Sequence, residues 1–123
     1  MQILCVERSA LGLAQLKRNA ARAAPGAVIR SCRDSREALD IVRSEGCDVL
    51  LTEVDLGGDK WEGLRLAEQV KGINPRVNII FVTVCSEREC AEELLRLRVS
   101  GFVTKPYASE TLTEEFLNLR YPV

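Results

Sequence analysis

Five short apolar runs, each followed by a stretch of helical periodicity, constrain this 123-residue chain more than any other feature. The runs are Gln2 to Val6, Ala27 to Cys32, Val49-Leu50-Leu51, Val77 to Val84 and Gly101 to Thr104. Too short for helices and too uniformly apolar for half-solvated strands, the third and fourth predict strands buried on both faces. The intervening stretches carry helix signals. Ser9 caps a helix running to about Ala24, with Leu13, Leu16, Ala20 and Ala23 on one stripe, and Pro25-Gly26 ends it. Asp34 and Glu37 form a capping-box pattern that opens a second helix, which Gly46 closes. Trp61-Glu62 leads into a third helix with Leu64, Ala67 and Val70 inward, stopped by Gly72 and Asn74-Pro75. Ser86 and Glu89 repeat the capping box before a fourth helix carrying Ala91, Leu94 and Leu95. A last helix, about Ser109 to Leu119, presents Leu112, Phe116 and Leu119. Strict alternation of this kind predicts a doubly wound α/β domain: a parallel sheet, helices on both faces, right-handed crossovers.

One domain accounts for the whole length. A formal net charge of -1 argues against a nucleic-acid surface on this domain. No run approaches membrane-spanning length, and no basic segment with an apolar signal core opens the chain. The five cysteines are odd in number and scattered, so they read as reduced, mostly buried thiols of a cytoplasmic protein. The absence of histidine removes the commonest general base and metal ligand.

In an open parallel sheet, ligands and chemistry collect at the carboxyl ends of the strands. Here those ends carry Glu7 and Arg8 on the first strand, Glu53 on the third, Thr83 on the fourth and Lys105, before Pro106, on the fifth. The acidic end at Glu7, the Asp48-to-Glu53 run, Thr83, Gly101-Phe102 and Lys105-Pro106 together resemble a receiver domain of two-component response regulators, over essentially the whole length. The resemblance implies a flavodoxin-like sandwich with strand order 2-1-3-4-5. It also implies an aspartate at the third strand end that accepts a phosphoryl group, two acidic residues holding Mg²⁺, and a threonine and lysine that read the phosphoryl oxygens. Phe102 falls at the family's aromatic switch position.

The chain departs from that pattern twice. Glu53 stands at the phosphoacceptor position and Arg8 at the second acidic position, with Asp55 the remaining carboxylate of the degenerate metal pocket. A guanidinium stays charged and repels Mg²⁺. The expectation is a pseudo-receiver: non-enzymatic, without cofactor, with Mg²⁺ binding lost or weak. Glu53 either mimics a phosphorylated aspartate against Lys105 and Thr83, with Arg8 in place of the metal, or belongs to a structural ion-pair network in which Arg8 and Lys105 neutralise Glu7 and Glu53. On either reading the four site charges sum to about zero. The alternatives to a pseudo-receiver are a working phosphoreceiver, with Glu53 or Asp55 accepting, and a purely structural dimerisation module.

Cys85 and Cys90 flank the fourth helix start, where a helix terminus lowers a thiol pKa, although unpaired cytosolic cysteines are usually inert. Gly57-Gly58 lacks either nucleotide-binding glycine fingerprint. Trp61 reads as partly exposed packing near the pocket mouth. The resemblance further implies a partner or dimer surface on the fourth helix, fifth strand and fifth helix. Residues 1-119 form the domain, and 120-123 start a linker to an output domain. That segment is similar to the junction in Firmicute-type regulators that continue into a winged-helix DNA-binding domain.

Overall fold

The computed structural model describes all of residues 1–123 as five parallel strands in the order β2-β1-β3-β4-β5. The strands are β1 (Gln2–Val6), β2 (Val28–Cys32), β3 (Val49–Thr52), β4 (Asn78–Thr83) and β5 (Gly101–Thr104). They alternate with α1 (Ala10–Ala23), α2 (Ser35–Glu45), α3 (Glu62–Ile73), α4 (Ala91–Leu97) and α5 (Ser109–Leu117), with a single 3-10 turn (Glu87–Cys90) leading into α4. This is the expected flavodoxin-like sandwich.

The two faces of the sheet build two cores with a period of two. Leu4, Val6, Leu50, Ile79 and Phe81 face α2, α3 and α4. Ile3, Cys5, Val49, Leu51, Ile80 and Val82 face Leu16 and Ala20 of α1 and Leu112 of α5. The caps form as the sequence predicts. Ser9 accepts from the Gly12 N–H, Asp34 from Glu37, and Ser86 with Glu89 closes a reciprocal box. The fourth helix differs in detail. Leu94 and Leu97 turn inward, whereas Ala91 is exposed and Leu95 is 80% exposed. The buried stripe runs through Cys90, Leu94 and Leu97, which leaves Ala91 and Leu95 on the solvent side. The last helix also stops two residues early, at Leu117.

Beyond α5 the chain does not leave the body. Asn78, fully buried at the start of β4, accepts from the Tyr121 N–H (2.8 Å) and donates to the Tyr121 carbonyl (2.9 Å). The Ser100 hydroxyl donates to the same Asn78 oxygen, and the Tyr121 ring lies against Lys71 and Arg76. Residues 120 and 121, read from the sequence as linker, are thus held under the amino ends of β4 and β5.

Candidate functional site

Parity and register together build the site. The β1–β3 pairing sets Val6 opposite Thr52, so the next residues, Glu7 and Glu53, leave the sheet at the same level. Both continue the alternation of the side facing α1 and α5, in phase with Ile3 and Cys5 and with Val49 and Leu51. Lys105 follows Val103 in the same phase. It starts two strands away from Glu53, about 10 Å across the sheet, a span that a lysine stem and the turn after β5 cover. Its ammonium reaches both carboxylates, Glu53 Oε1 at 3.0 Å and Glu7 Oε1 in a closer contact. Glu7 is 2% exposed and its other oxygen accepts from the Ser9 N–H at the start of α1. Gly12 makes this approach possible, because a Cβ there would lie 2.8 Å from the Glu7 carboxyl.

The inner cluster therefore holds two carboxyls against one ammonium. Arg8 stands outside it, its guanidinium 3.9 Å from Asp55 and largely in solvent. Arg33 clamps the Arg8 carbonyl through Nε and Nη2, at 2.8 and 2.6 Å, and Arg8's stem passes over Gly57, whose φ is +94°. Arg8 stands beside Asp55 rather than Glu53, so of the two cations expected at the site only Lys105 contacts the Glu7 and Glu53 carboxyls. Thr83 is likewise in phase with Phe81, on the opposite parity, and its hydroxyl accepts from the Val54 and Cys85 N–H groups at 3.5 and 3.4 Å. The expected Glu53–Thr83 contact is not formed. Burial pushes the Glu53 carboxyl above its ordinary range; Lys105 opposes that rise and the facing Glu7 carboxylate adds to it. The second oxygen of Glu53 is buried without a hydrogen-bond partner in the protein. Desolvation lowers the Lys105 ammonium, but its bonds to Glu7 and Glu53 outweigh this and leave its pKa raised.

A family profile, the response regulator receiver domain, matches residues 3–117. The chain belongs to this family. Among its relatives, the receiver is 30% identical over 78 residues to the Fimbriae Z protein of Salmonella typhimurium, a match covering 63% of this chain and 36% of the relative. It is 27% identical over 77 residues to the transcriptional regulatory protein ZraR of Escherichia coli, covering 63% of this chain and 17% of that one. The receiver thus spans about a third and a sixth of these relatives' lengths. A receiver domain protein from Clostridium thermocellum superposes with a TM-score of 0.81 over 95% of this chain and 91% of that one, at 20% identity, which speaks for the fold alone.

Around the receiver's pocket, the sequence left one contact unseen. Lys60, in the loop after β3, pairs with Glu89 at 3.1 Å and so ties that loop to the 3-10 turn after β4. Glu89 had a complete role as a capping residue, and only the adjacency of β3 and β4 points to a cation reaching it from the next loop. Trp61 is half-buried, beneath the Lys60 ammonium. Phe102 is half-buried on β5, its ring 6.3 Å from Phe81, and it lines a groove of about 580 Å³ with Leu94, Leu95, Glu87 and Glu115. The cysteines are all unpaired, and burial pushes the thiols of Cys5, Cys32 and Cys47 up to about 12. Cys90 is buried and its pKa is raised by desolvation first, so the start of α4 does not activate it. No helix is long and apolar enough to cross a membrane.

Proposed function

We propose that this receiver is a cytoplasmic, non-enzymatic signalling domain of a transcriptional regulator, acting through protein contacts without Mg²⁺-dependent phosphorylation at residue 53. The observation that carries this reading is the Lys105 ammonium bound between Glu7 and Glu53. Magnesium demands close oxygen ligands in near-octahedral array and gives up water reluctantly. Between Glu7 and Glu53 it would have to displace an ammonium that both carboxylates already hold. The next position, where a further carboxylate would help, carries Arg8, and the nearby Asp55 is paired with it. These donors do not fit the ion.

Of the two roles for Glu53, the geometry favours a resident counter-charge over a full phosphoryl mimic. Glu53 engages Lys105, but Thr83, on the opposite face of the sheet, accepts from the Val54 and Cys85 N–H groups and makes no hydrogen bond to Glu53. Glu53, Lys105 and Glu7 then fix one arrangement of the strand ends. Output passes through α4, β5 and α5, where Phe102 and the exposed Leu95 line the 580 Å³ groove. Both sequence relatives extend well beyond the matched region, which supports an attached output domain.

The test is intact mass after incubation with Mg²⁺ and a small acyl phosphate, with Trp61 fluorescence followed through a Mg²⁺ titration. The expected result is an unchanged mass and a flat titration. A phosphoryl increment with saturable Mg²⁺ binding would instead establish a working phosphoreceiver.

A further inference from the structure

Four cations reach the amino-terminal end of the sheet from four segments: Lys71 in the last turn of α3, Arg76 just ahead of β4, Arg98 at the end of α4 and Arg120 beyond α5. None of them forms an ion pair within the chain. At the opposite end of the strands, by contrast, Arg8, Lys60, Arg65 and Lys105 each pair with a carboxylate. The four unpaired cations make one collar around the tail. Arg98 and Arg120 both line the groove beside Ser100, whose hydroxyl accepts from the Arg120 N–H at 3.3 Å. Tyr121 follows, with Lys71 and Arg76 over its ring at 4.9 and 5.4 Å from the centroid and Lys71 3.5 Å from its hydroxyl. Arg76, Arg98 and Arg120 are exposed and Lys71 is half-buried. Glu115 shares the groove but pairs with neither arginine, and Asp48, just before β3, accepts from the Gln2 N–H at 2.7 Å. The formal net charge of -1, which argued against a nucleic-acid surface, conceals this cluster.

We infer that this collar binds the phosphate backbone of a nucleic-acid duplex without reading its bases. The inference rests on the proposed role in a transcriptional regulator. On that reading the chain runs from Tyr121 into an output domain, so a duplex held by that domain lies within reach of the collar at high effective concentration. Phosphate binding depends on where cations are concentrated, not on the charge of the whole chain. Three of the four are arginines, whose planar forks meet phosphate oxygens in pairs. The collar is also held in place. Asn78 fixes both backbone groups of Tyr121, so Arg120 and the Tyr121 hydroxyl stay beside Lys71 and Arg76 instead of riding on a loose tail. Binding displaces no carboxylate, unlike entry of a cation between Glu7 and Glu53. A duplex presents about one negative charge per 1.7 Å of its axis, a density that a mixed protein surface does not reach. Contacts of this kind position a protein on a duplex and leave sequence readout to the output domain.

The experiment is fluorescence anisotropy of a short labelled duplex of arbitrary sequence, titrated with the whole chain over a range of potassium chloride. Four phosphate contacts give a slope of about −3.6 in log affinity against log salt, so binding should weaken about fiftyfold for each threefold rise in salt. Arg76→Gln with Arg120→Gln removes two contacts and should bring that factor down to about sevenfold. Lys17→Gln with Arg18→Gln takes the same charge from α1 and should leave the slope unchanged. If the first pair disturbs the circular dichroism melt, Arg98→Gln, whose side chain lies outside the Tyr121 joint, should still reduce the factor to about twentyfold. No anisotropy change at low ionic strength with several hundred micromolar chain would overturn the inference. So would an equal loss of slope in the α1 variant, which would mean that overall charge alone acts. Tighter binding of polyglutamate than of duplex at equal charge would also overturn it and assign the collar to an acidic protein. The Mg²⁺ and mass test fails separately: a phosphoryl increment would defeat the non-phosphorylated mode without changing the salt slope, whereas flat anisotropy with unchanged mass would strike the collar alone.

Discussion

Lys105 shows how a single cation can govern a pocket. Its side chain is about three-quarters buried, and it is the only cation bonded to the Glu7 and Glu53 carboxyls. Replacing it with methionine leaves two desolvated carboxyls facing each other, and losing one partner of a buried pair costs about 3–5 kcal/mol. Chemical denaturation of Lys105→Met at pH 7 should show a loss of that order, and adding Glu53→Gln should recover much of it. Coupling of that kind identifies one network; simple additivity would mean the three groups act independently. Glu53 also sets a pH dependence. Burial, with the Glu7 carboxylate, raises its folded pKa above the ordinary 4.5 despite Lys105. The folded state then holds a proton that the unfolded chain releases, so the contribution to stability is complete below pH 4.5 and is lost as pH rises through the folded value. Urea midpoints of the parent should fall across that window relative to those of Glu53→Gln, whose amide does not titrate. Parallel curves would show that Glu53 titrates normally.

At the scale of elements, two joints hold the site and the tail in place. Gly63, in the first turn of α3, packs against the end of β3, and a Cβ there would lie 1.8 Å from the Glu53 carbonyl. Gly63→Ala should cost about 1–3 kcal/mol by overpacking and shift the loop that carries Glu53. A melt unchanged from the parent's would show that the α3 start gives way freely. At the amino-terminal end of the strands, Asn78 binds both backbone groups of Tyr121 as a neighbouring strand would. Asn78→Ala should cost about 1–3 kcal/mol, because buried polar partners are left unsatisfied. It should also speed hydrogen exchange at the Tyr121 amide, and exchange at the parent's rate would mean that Asn78 does not hold the tail. These joints mark what the sequence could and could not say. The five strands and four of the five helices were legible almost to the residue, because caps at Ser9, Asp34 and Ser86 and breaks at Gly46 and Asn74-Pro75 are local signals. So was the convergence of Glu7, Glu53 and Lys105, which needs the strand ends together with the strand order that the resemblance to receivers implies. The outward turn of Arg8 and the private bonds of Thr83 depend on side-chain direction and on loop contacts from elsewhere in the chain, such as Arg33 on the Arg8 carbonyl. The Asn78–Tyr121 joint links residues 43 positions apart, and no local pattern records it.

For the whole molecule, the question is whether this receiver keeps a fold able to take the metal and has lost only the ligands. Arg8 is exposed and its contact with Asp55 is long, so its replacement should cost little. Glu53→Asp shortens one carboxylate by a methylene and draws it away from the Lys105 ammonium. The double change Arg8→Asp with Glu53→Asp therefore gives three carboxylates at the strand ends with no guanidinium among them, a donor set that suits Mg²⁺. An ion that binds only the folded state stabilises it by mass action, about 1.4 kcal/mol at tenfold excess over Kd. For a domain of this size that corresponds to a rise in Tm of about 4–6 °C. Calorimetric scans of the double variant with and without Mg²⁺ should show this rise, together with a saturable change in Trp61 fluorescence, whereas the parent should show neither. A shift in both proteins would mean that Mg²⁺ binds despite Arg8 and Glu53. A shift in neither would mean that the strand ends are rebuilt by Lys105 and Lys60–Glu89 beyond the reach of two substitutions. The expected contrast, a shift in the variant alone, would locate the lost response in two side chains on a scaffold that otherwise retains the receiver design.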